Sequence, residues 1–299
     1  MARKIAQVGA FSIIFILFLT ASAFAKPVVP GGESIGISMN LSGLLVTGVD
    51  KDSIADISGL KKGDLIEDFT DTNELLSKTR KGYDLKVLRS GKEKDIDIPT
   101  YADGFGADLK NTISGIGTLT YIDVQTNQIF AIGHKVTDIE DNLDLPTTSG
   151  FIFTSKIMGI ERGDKTSELE GTFSASASPI GEVFSNDDNG VLAKDLMEKD
   201  NSKVMETGEP TIGPATIRTT ISGNTVQEFN IEIDNVASND QDKNISIKVT
   251  DSTLLNETGG IAAGMSGAPI IQGDKLVGVV THVSAGDAQF GYGRTIEGN

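Results

Sequence analysis

Apolar and polar residues alternate along much of this 299-residue chain, which predicts a fold dominated by β-strands. The alternation is clearest in Phe229–Ile233 and Ile245–Val249, where every second residue is apolar. Gly117–Ile122 and Ala215–Ile221 also have the composition of strands. Short strands separated by Gly and Asn turns favour barrels or sandwiches. We therefore expect residues 101–299 to form two small β-barrels with a cleft between them.

A different pattern occupies residues 34–100, where strands are mixed with a short helix near Ser53–Ile57 and a longer one near Thr72–Lys81. Asp71 is suited to cap the longer helix. In the strand-rich remainder only Val191–Lys199 predicts a helix. The fold class is therefore expected to be mainly β, with an α+β module ahead of the double barrel.

The N-terminus has the pattern of an export signal. Arg3 and Lys4 precede an apolar run over residues 8–19, and small residues around Ala25 complete a signal-peptidase site. We expect export across the cytoplasmic membrane, with residues 1–25 either removed or kept as a membrane anchor. The Pro- and Gly-rich residues 26–33 predict an open linker.

Composition excludes several functions. The formal net charge of −16 leaves no electrostatic footprint for nucleic acid. Cysteine is absent, so neither disulfides nor thiol chemistry are available. His134 and His282 are the chain's two histidines, and with so few imidazoles and no thiols we expect no metal site and no cofactor.

One serine lies between glycines in Gly264-Met265-Ser266-Gly267, ahead of a proline and an apolar run. A serine hydroxyl becomes a useful nucleophile when a base takes its proton and nearby donors stabilise the oxyanion. The glycines permit a tight turn that aims the N–H groups of Gly264 and Ser266 at one point, as in chymotrypsin-like hydrolases. The alternative interpretation is a glycine-rich turn with an incidental serine.

A second apolar strand follows the serine after a tight turn. In chymotrypsin-like proteases the strand at this place pairs with the extended substrate, so Thr281, His282 and Val283 are the predicted substrate strand. Because His282 lies on that strand, His134, which follows an apolar strand and a glycine, is the predicted general base.

A carboxylate is needed to orient the imidazole. Asp251 ends an alternating strand shortly before the serine loop, whereas Asp138 lies four residues after His134 and would more naturally cap a turn. Position alone leaves Asp251 slightly ahead of Asp138.

The run Ser58-Gly59-Leu60-Lys61-Lys62-Gly63-Asp64, together with the strands around it, resembles a bacterial PDZ domain. The resemblance implies a groove beside the strand that contains Ser34, Ile35, Gly36 and Ile37, where a peptide adds as an extra strand. A module that only packs on its neighbour is the alternative.

Motifs along nearly the whole chain resemble the SpoIVB-type serine peptidases of spore-forming bacteria. They are Gly115–Thr120, Gly133-His134, Gly208–Ala215, Thr250–Leu255, Thr258–Ile271, Thr281–Val283 and Gly291–Gly293. The resemblance implies a triad of His134, Asp251 and Ser266. It also implies a protease that acts between mother cell and forespore, clips itself near the N-terminus and cleaves a regulator of a membrane-embedded protease.

The implied partners are a protein substrate, such as the extracytoplasmic domain of a membrane protein, and a PDZ-bound peptide that could be the chain's own. Met265 departs from the Gly-Asp-Ser-Gly pattern of chymotrypsin-like enzymes, so activation by pairing a new amino terminus with that aspartate is unavailable. Two other functions stay open. One is an HtrA-like quality-control protease, although HtrA chains place PDZ after the protease. The other is a catalytically inactive PDZ scaffold.

Overall fold

The computed structural model describes residues 25–137, 145–197, 204–237 and 243–296. The strands in these residues are β1 (Pro27–Pro30), β2 (Ser34–Val49), β3 (Leu65–Ile66), β4 (Tyr83–Arg89), β5 (Lys92–Ile98), β6 (Ala107–Asp123), β7 (Gln128–Ala131), β8 (Thr147–Thr154), β9 (Lys156–Arg162), β10 (Ser167–Thr172), β11 (Gly181–Asp187), β12 (Gly190–Asp195), β13 (Met205–Thr207), β14 (Gly213–Thr219), β15 (Gln227–Val236), β16 (Ile245–Val249), β17 (Pro269–Gln272), β18 (Lys275–Val283) and β19 (Phe290–Thr295). The helices are α1 (Ile54–Ile57), α2 (Thr72–Thr79) and α3 (Ser252–Thr258).

Six antiparallel strands close into a first barrel. In order around the barrel they are β2, β6, β7, β12, β11 and β8, which pairs back with β2. Alternate residues of each strand point inward, as the two-residue period of a strand requires. The core contains Ile37, Leu119, Ile129, Ile152 and Val191, each at most 3% exposed.

A second barrel has the same number of strands. Its order is β14, β15, β16, β19, β18 and β17, and β17 pairs back with β14. Ile217, Ile231, Ile247, Ile270 and Val280 fill its interior. These two closed barrels confirm the mainly β, chymotrypsin-like double-barrel architecture predicted from the alternating pattern.

The helix predicted at Val191–Lys199 is wrong. Residues 190–195 are strand β12, which pairs with β7 on one edge and β11 on the other. Val191 and Ala193 point into the first barrel while Lys194 is exposed. Because a strand in a closed barrel has both edges hydrogen-bonded, barrel closure outweighs the weak local preference for helix.

A compact α+β module lies between β2 and β6. It has its own core, which includes Leu44, Leu75, Leu85 and Ile98, all at most 1% exposed. Both predicted helices are present, and the Asp71 carboxylate caps α2 by accepting the N–H of Glu74 at 2.8 Å. PDZ identity of this module stays a prediction.

A partly buried ion pair closes the loop that carries the PDZ-like sequence. The Arg89 guanidinium donates to both carboxylate oxygens of Asp64, at 2.5 and 2.6 Å, and to the carbonyl of Gly59 at 2.8 Å. The hydrogen bond to Asp64 raises the pKa of Arg89 above its ordinary value. Bidentate geometry of this kind favours arginine over lysine, and it holds the turn 59–64 against strand β4.

Strand β2 belongs to both units, which moves the predicted boundary at residue 100. Its first half lies in the wall of the first barrel, between β6 and β8. Its second half pairs with β3 of the module. The α+β module is therefore inserted into the first barrel, and the peptidase fold requires residues 34–41.

This placement corrects the predicted peptide groove. Ile35 and Ile37 are 0% exposed and pair with β6 on one edge and β8 on the other, so no edge remains for an added peptide. The hydroxyl of Ser34 hydrogen-bonds that of Ser155 inside the protein. A side-chain carbon on Gly36 would lie 2.1 Å from the ring of Phe173. These four residues form barrel wall rather than a carboxylate-binding loop.

The predicted linker also contains a strand. β1 pairs with β6 of the first barrel and with β13, which runs parallel to β18 of the second barrel. Because of these pairings β1 ties the two barrels together, and its Val28 is 0% exposed. The predicted export signal lies outside the described residues apart from Ala25. Among the described helices, none has the length and apolar character needed to cross a membrane.

The hairpin β9–β10 lies across both barrels. Ile157 and Leu169 pack into the core of the second barrel, whereas Gly171 lies against Ile116 and Phe173 stacks on Phe153 of the first. This hairpin therefore covers one side of the cleft between the barrels.

Candidate active site

The loop that carries Ser266 follows α3, which ends at a left-handed glycine, Gly259, with φ 77°. Gly264 and Gly267 also have positive φ, at 93° and 100°. A side-chain carbon on Gly267 would lie 2.1 Å from the carbonyl oxygen of Thr118. Glycine is required at 267 both for its conformation and for this close approach of two backbones.

The N–H of Gly264 is directed by its own peptide unit. The carbonyl of Ala263, in the same peptide, accepts the N–H of Leu169 of β10 at 3.0 Å. Because the C=O and N–H of a trans peptide point in opposite directions, the N–H of Gly264 is turned away from β10.

The N–H of Ser266 is set in the same way. The carbonyl of Met265 accepts the N–H of Ala268 at 2.9 Å, so the N–H of Ser266 points to the other side. Within the described residues, neither this N–H nor that of Gly264 has a protein acceptor. Two such donors beside the Ser266 hydroxyl are compatible with an oxyanion hole, and that role of Gly264 and Ser266 stays a prediction.

Met265 occupies the position of the aspartate in the chymotrypsin-like pattern. It is 0% exposed in the core of the second barrel, and its sulfur accepts the N–H of Ala262 at 3.4 Å. An apolar side chain packed in the barrel core therefore anchors the loop at the position where chymotrypsin-like enzymes have a charged aspartate.

His134 is delivered by two consecutive left-handed residues. Ile132 has φ 71° and Gly133 has φ 74°. A β-branched residue at positive φ is strained, and strain of this kind concentrates at functional sites. The side chain of Ile132 is held in the first barrel core at 5% exposure. The turn ends β7 abruptly and places His134 at the cleft.

The orientation of the His134 ring is fixed by backbone. Its Nδ1 lies 2.9 Å from the carbonyl oxygen of Lys135. A carbonyl can only accept, so this bond places the proton of a neutral imidazole on Nδ1 and leaves the Nε2 lone pair as the proton acceptor. That is the tautomer that a general base requires.

The end of strand β11 supports the segment after His134. The Asn186 side chain accepts the N–H of Val136 at 2.8 Å and donates to its carbonyl at 3.0 Å. Two residues on, Asp188 lines the cleft beside His134.

Ser266 and His134 line the same cleft from opposite barrels. A cavity of about 400 Å³ on the β9–β10 side and another of about 550 Å³ on the β18 side both contain these two residues. The hydroxyl of Ser266 donates to the carbonyl of Thr281 at 3.1 Å. The predicted catalytic pairing would require this hydroxyl to rotate from the Thr281 carbonyl to Nε2 of His134.

The predicted substrate strand lies at the second cavity. Thr281, His282 and Val283 all line it, and β19 pairs with this end of β18. The ring of His282 lies 5.6 Å from that of His134, centroid to centroid. Ile261 and Val280 contribute apolar wall to the same cavity.

The carboxylate of Asp251, the predicted partner of His134, caps helix α3. Its carboxylate accepts the N–H groups of Thr253 and Leu254, at 2.9 and 3.2 Å, and so caps α3. Its other oxygen lies 3.3 Å from the backbone N of Asn230. No described hydrogen bond joins it to His134, so its role as the third catalytic member stays a prediction. The rival Asp138 lies outside the described residues.

The structure adds three contributors that the sequence reading missed. They are the carbonyl of Lys135, the side chain of Asn186 and the hydroxyl of Thr118, which donates to the carbonyl of Gly264 at 2.9 Å. A backbone carbonyl leaves no sequence signal. Thr118 lies in Gly115–Thr120, a motif that resembles SpoIVB-type peptidases but by itself indicates no role for its threonine.

Two closed barrels with a serine and a histidine across one cleft define the architecture of chymotrypsin-like peptidases. A family model described as SpoIVB peptidase S55 matches residues 104–298, more than half of the chain. The protein therefore belongs to the SpoIVB peptidase family and is a protease. Neither the comparison with curated proteins nor that with solved structures gave a match.

The left-handed turn before His134 yields a direct test. Gly133→Ala places a side chain at φ 74°, with the new carbon 3.0 Å from Val279. A non-glycine residue in this conformation costs about 1–2 kcal/mol. We expect lower stability and misplacement of His134, with kcat reduced at least tenfold in the fraction that stays folded. Urea unfolding and peptide hydrolysis measure the two effects. Gly91→Ala, at φ 72° with open space, is the control, and equal activity in both variants would contradict this role of Gly133.

Proposed function

We propose that this protein is an exported serine endopeptidase in which Ser266 is the nucleophile and His134 the general base. The observation that carries the proposal is that one cleft contains both side chains, one from each barrel. The N–H groups of Gly264 and Ser266 supply the oxyanion hole.

The reaction follows from these positions. Oγ of Ser266 attacks the carbonyl carbon of the scissile peptide while Nε2 of His134 accepts the hydroxyl proton. The carbonyl electron pair moves to oxygen, where the N–H groups of Gly264 and Ser266 stabilise it. The C–N bond then breaks and His134 returns the proton to the leaving amine. A water molecule, deprotonated by His134, releases the acid product and restores Ser266.

Asp251 completes the proposed triad because it occupies the position of the aspartate in the family's pattern. In the described state its carboxylate caps α3, and the Lys135 carbonyl holds Nδ1 of His134. A triad contact therefore requires the carboxylate to leave its cap or the loop of His134 to shift.

The proposed biological role is signalling in sporulation. The protease would cleave a regulator of a membrane-embedded protease, in the space between mother cell and forespore, and would process itself near the N-terminus. Membership of the SpoIVB peptidase family supports this role. Because β1 pairs on both edges, self-cleavage within residues 27–30 requires β1 to detach from β6 and β13.

The inserted α+β module is proposed to bind a peptide segment of a substrate or of the protein itself. Its separate core and its position beside the first barrel support an accessory binding role. The groove for such a peptide has to use a surface other than Ser34–Ile37, since that strand is paired on both edges.

Loss of either catalytic side chain tests the proposed chemistry. Ser266→Ala and His134→Ala should each lower kcat about a millionfold, because the two act as a unit. The measurement is peptide hydrolysis and self-processing by the purified full-length protein, with fluorophosphonate labelling followed by mass spectrometry. Ser176→Ala, an exposed serine outside the cleft, is the matched control.

Labelling at Ser266 that disappears in the alanine variant is expected. A folded wild-type protein that neither hydrolyses peptides nor takes the label would favour the inactive scaffold. Efficient degradation of generic unfolded proteins would instead favour an HtrA-like quality-control role.

Asp251→Asn separates catalysis from helix capping. Asparagine keeps one oxygen that can accept the N–H groups of Thr253 and Leu254, so the cap and the fold should persist although the longer contact to Asn230 is lost. As a triad member Asp251 predicts a loss of roughly ten-thousandfold in kcat for this variant. The check is kcat together with thermal unfolding, with Asp71→Asn, the cap of α2, as control. Full activity in Asp251→Asn would restrict the carboxylate to the cap and leave the Lys135 carbonyl as the partner of Nδ1.

A further inference from the structure

Thr118 joins the two halves of the active site. It lies on β6 in the wall of the first barrel and is 1% exposed. Its carbonyl accepts the N–H of Ile132, two residues before His134, at 3.2 Å. Its own N–H donates to the carbonyl of Ser266 at 3.0 Å. One residue therefore contacts both the turn that delivers the base and the loop that carries the nucleophile.

The side chain of Thr118 adds a contact that backbone pairing alone would not supply. Its hydroxyl donates to the carbonyl of Gly264 at 2.9 Å. That carbonyl belongs to the peptide unit between the two proposed oxyanion donors, the N–H groups of Gly264 and Ser266. Rotation of this middle peptide would change the torsions on either side and would move the two donors relative to one another.

The hydroxyl bond restrains the peptide unit between Gly264 and Met265. Gly264 has φ 93° and no side chain of its own to limit rotation. Neighbouring peptides are held by backbone groups: Ala263 by Leu169, and Met265 by Ala268. Between these two peptides, the carbonyl of Gly264 is held instead by a side-chain hydroxyl, that of Thr118.

The close approach that this bond requires is built into the sequence. A side-chain carbon on Gly117 would lie 2.7 Å from Ile132 and 3.7 Å from the carbonyl oxygen of Ser266. On the other side, Gly267 has no space for a side chain because of the Thr118 carbonyl. Glycines on both sides of the junction thus bring the hydroxyl of Thr118 within reach of Gly264.

We propose that Thr118 is a positioning residue that holds the oxyanion hole in its reactive geometry through its hydroxyl bond to Gly264. The proposal rests on the proposed peptidase function and deepens it. The role is specific to the transition state, because the two N–H donors must fit an oxyanion more tightly than the substrate carbonyl. Substrate binding along β18 does not involve this bond.

The test compares Thr118→Val, Thr118→Ser and Thr118→Cys in the full-length protein. Valine keeps the shape of threonine but cannot donate, serine keeps the hydroxyl, and cysteine has a thiol that donates weakly. Removing one oxyanion donor outright costs about 10²–10³ in kcat, so loosening the hole should cost roughly tenfold to a hundredfold. We expect this loss in kcat for valine with KM unchanged, a smaller loss for cysteine, and near wild-type kcat for serine.

Affinity for a peptide boronic acid supplies a second readout. The boronate becomes tetrahedral on Ser266 and fills the oxyanion hole, so its Kd should rise in parallel with the loss of kcat in the valine variant. Binding of an uncleaved substrate peptide to Ser266→Ala carrying the same change should not weaken. A purely structural role of Thr118 would not separate these two affinities.

Thr219→Val is the matched control. Thr219 is 0% exposed on β14, and its hydroxyl has no hydrogen-bond partner among the described residues, so the same substitution removes no bond. Equal kcat in Thr118→Val and the wild type would overturn the proposal, as would loss in Thr118→Ser equal to that in Thr118→Val. If the valine variant does not fold, the serine and cysteine pair decides, and equal kcat in those two overturns it. An inactive wild-type protein would instead count against the peptidase function.

Discussion

The proposed catalysis depends on the hydrogen-bonded seam where β6 of the first barrel meets the Ser266 loop of the second. The proposed base comes from one barrel and the proposed nucleophile from the other, so neither barrel's core can fix their separation by itself. The seam supplies that constraint through the backbone of Thr118, which contacts both Ile132 and Ser266. Gly267 allows the backbone of its loop to approach that of β6 more closely than any residue with a side chain would permit.

Other elements act on the cleft by reinforcing this seam. Strand β1 pairs with the first barrel and, through β13, with the second, so the segment after the predicted export signal helps to hold the two barrels together. The β9–β10 hairpin packs into the core of the second barrel, contacts β2 and β6 of the first, and fixes the peptide before Gly264 through the N–H of Leu169. Proteolysis near the N-terminus and movement of this hairpin would therefore both alter the relative position of the two barrels, and with it the geometry of the cleft between them.

The sequence supports some of these conclusions and not others, for physical reasons. Alternation predicts strands because side chains point in turn to opposite faces, and glycines around Ser266 and before His134 report backbone constraints that are local. Strand partners are set by distant segments, so nothing within Ser34–Ile37 shows that both its edges are taken. Asp251 illustrates a further limit: an aspartate before a helix fits both a helix cap and a carboxylate that orients a catalytic histidine, and only the structure shows which groups its oxygens contact.

The central claim is that Ser266, His134 and two backbone donors act on one carbonyl group in the cleft between the barrels. A crystal structure of the protein after reaction with a peptidyl phosphonate tests it most directly. The account predicts phosphorus bonded to Oγ of Ser266, a phosphonyl oxygen within hydrogen-bond distance of the N–H groups of Gly264 and Ser266, and Nε2 of His134 facing the adduct. A phosphonyl oxygen turned away from both N–H groups, or His134 out of contact with the adduct, would contradict it.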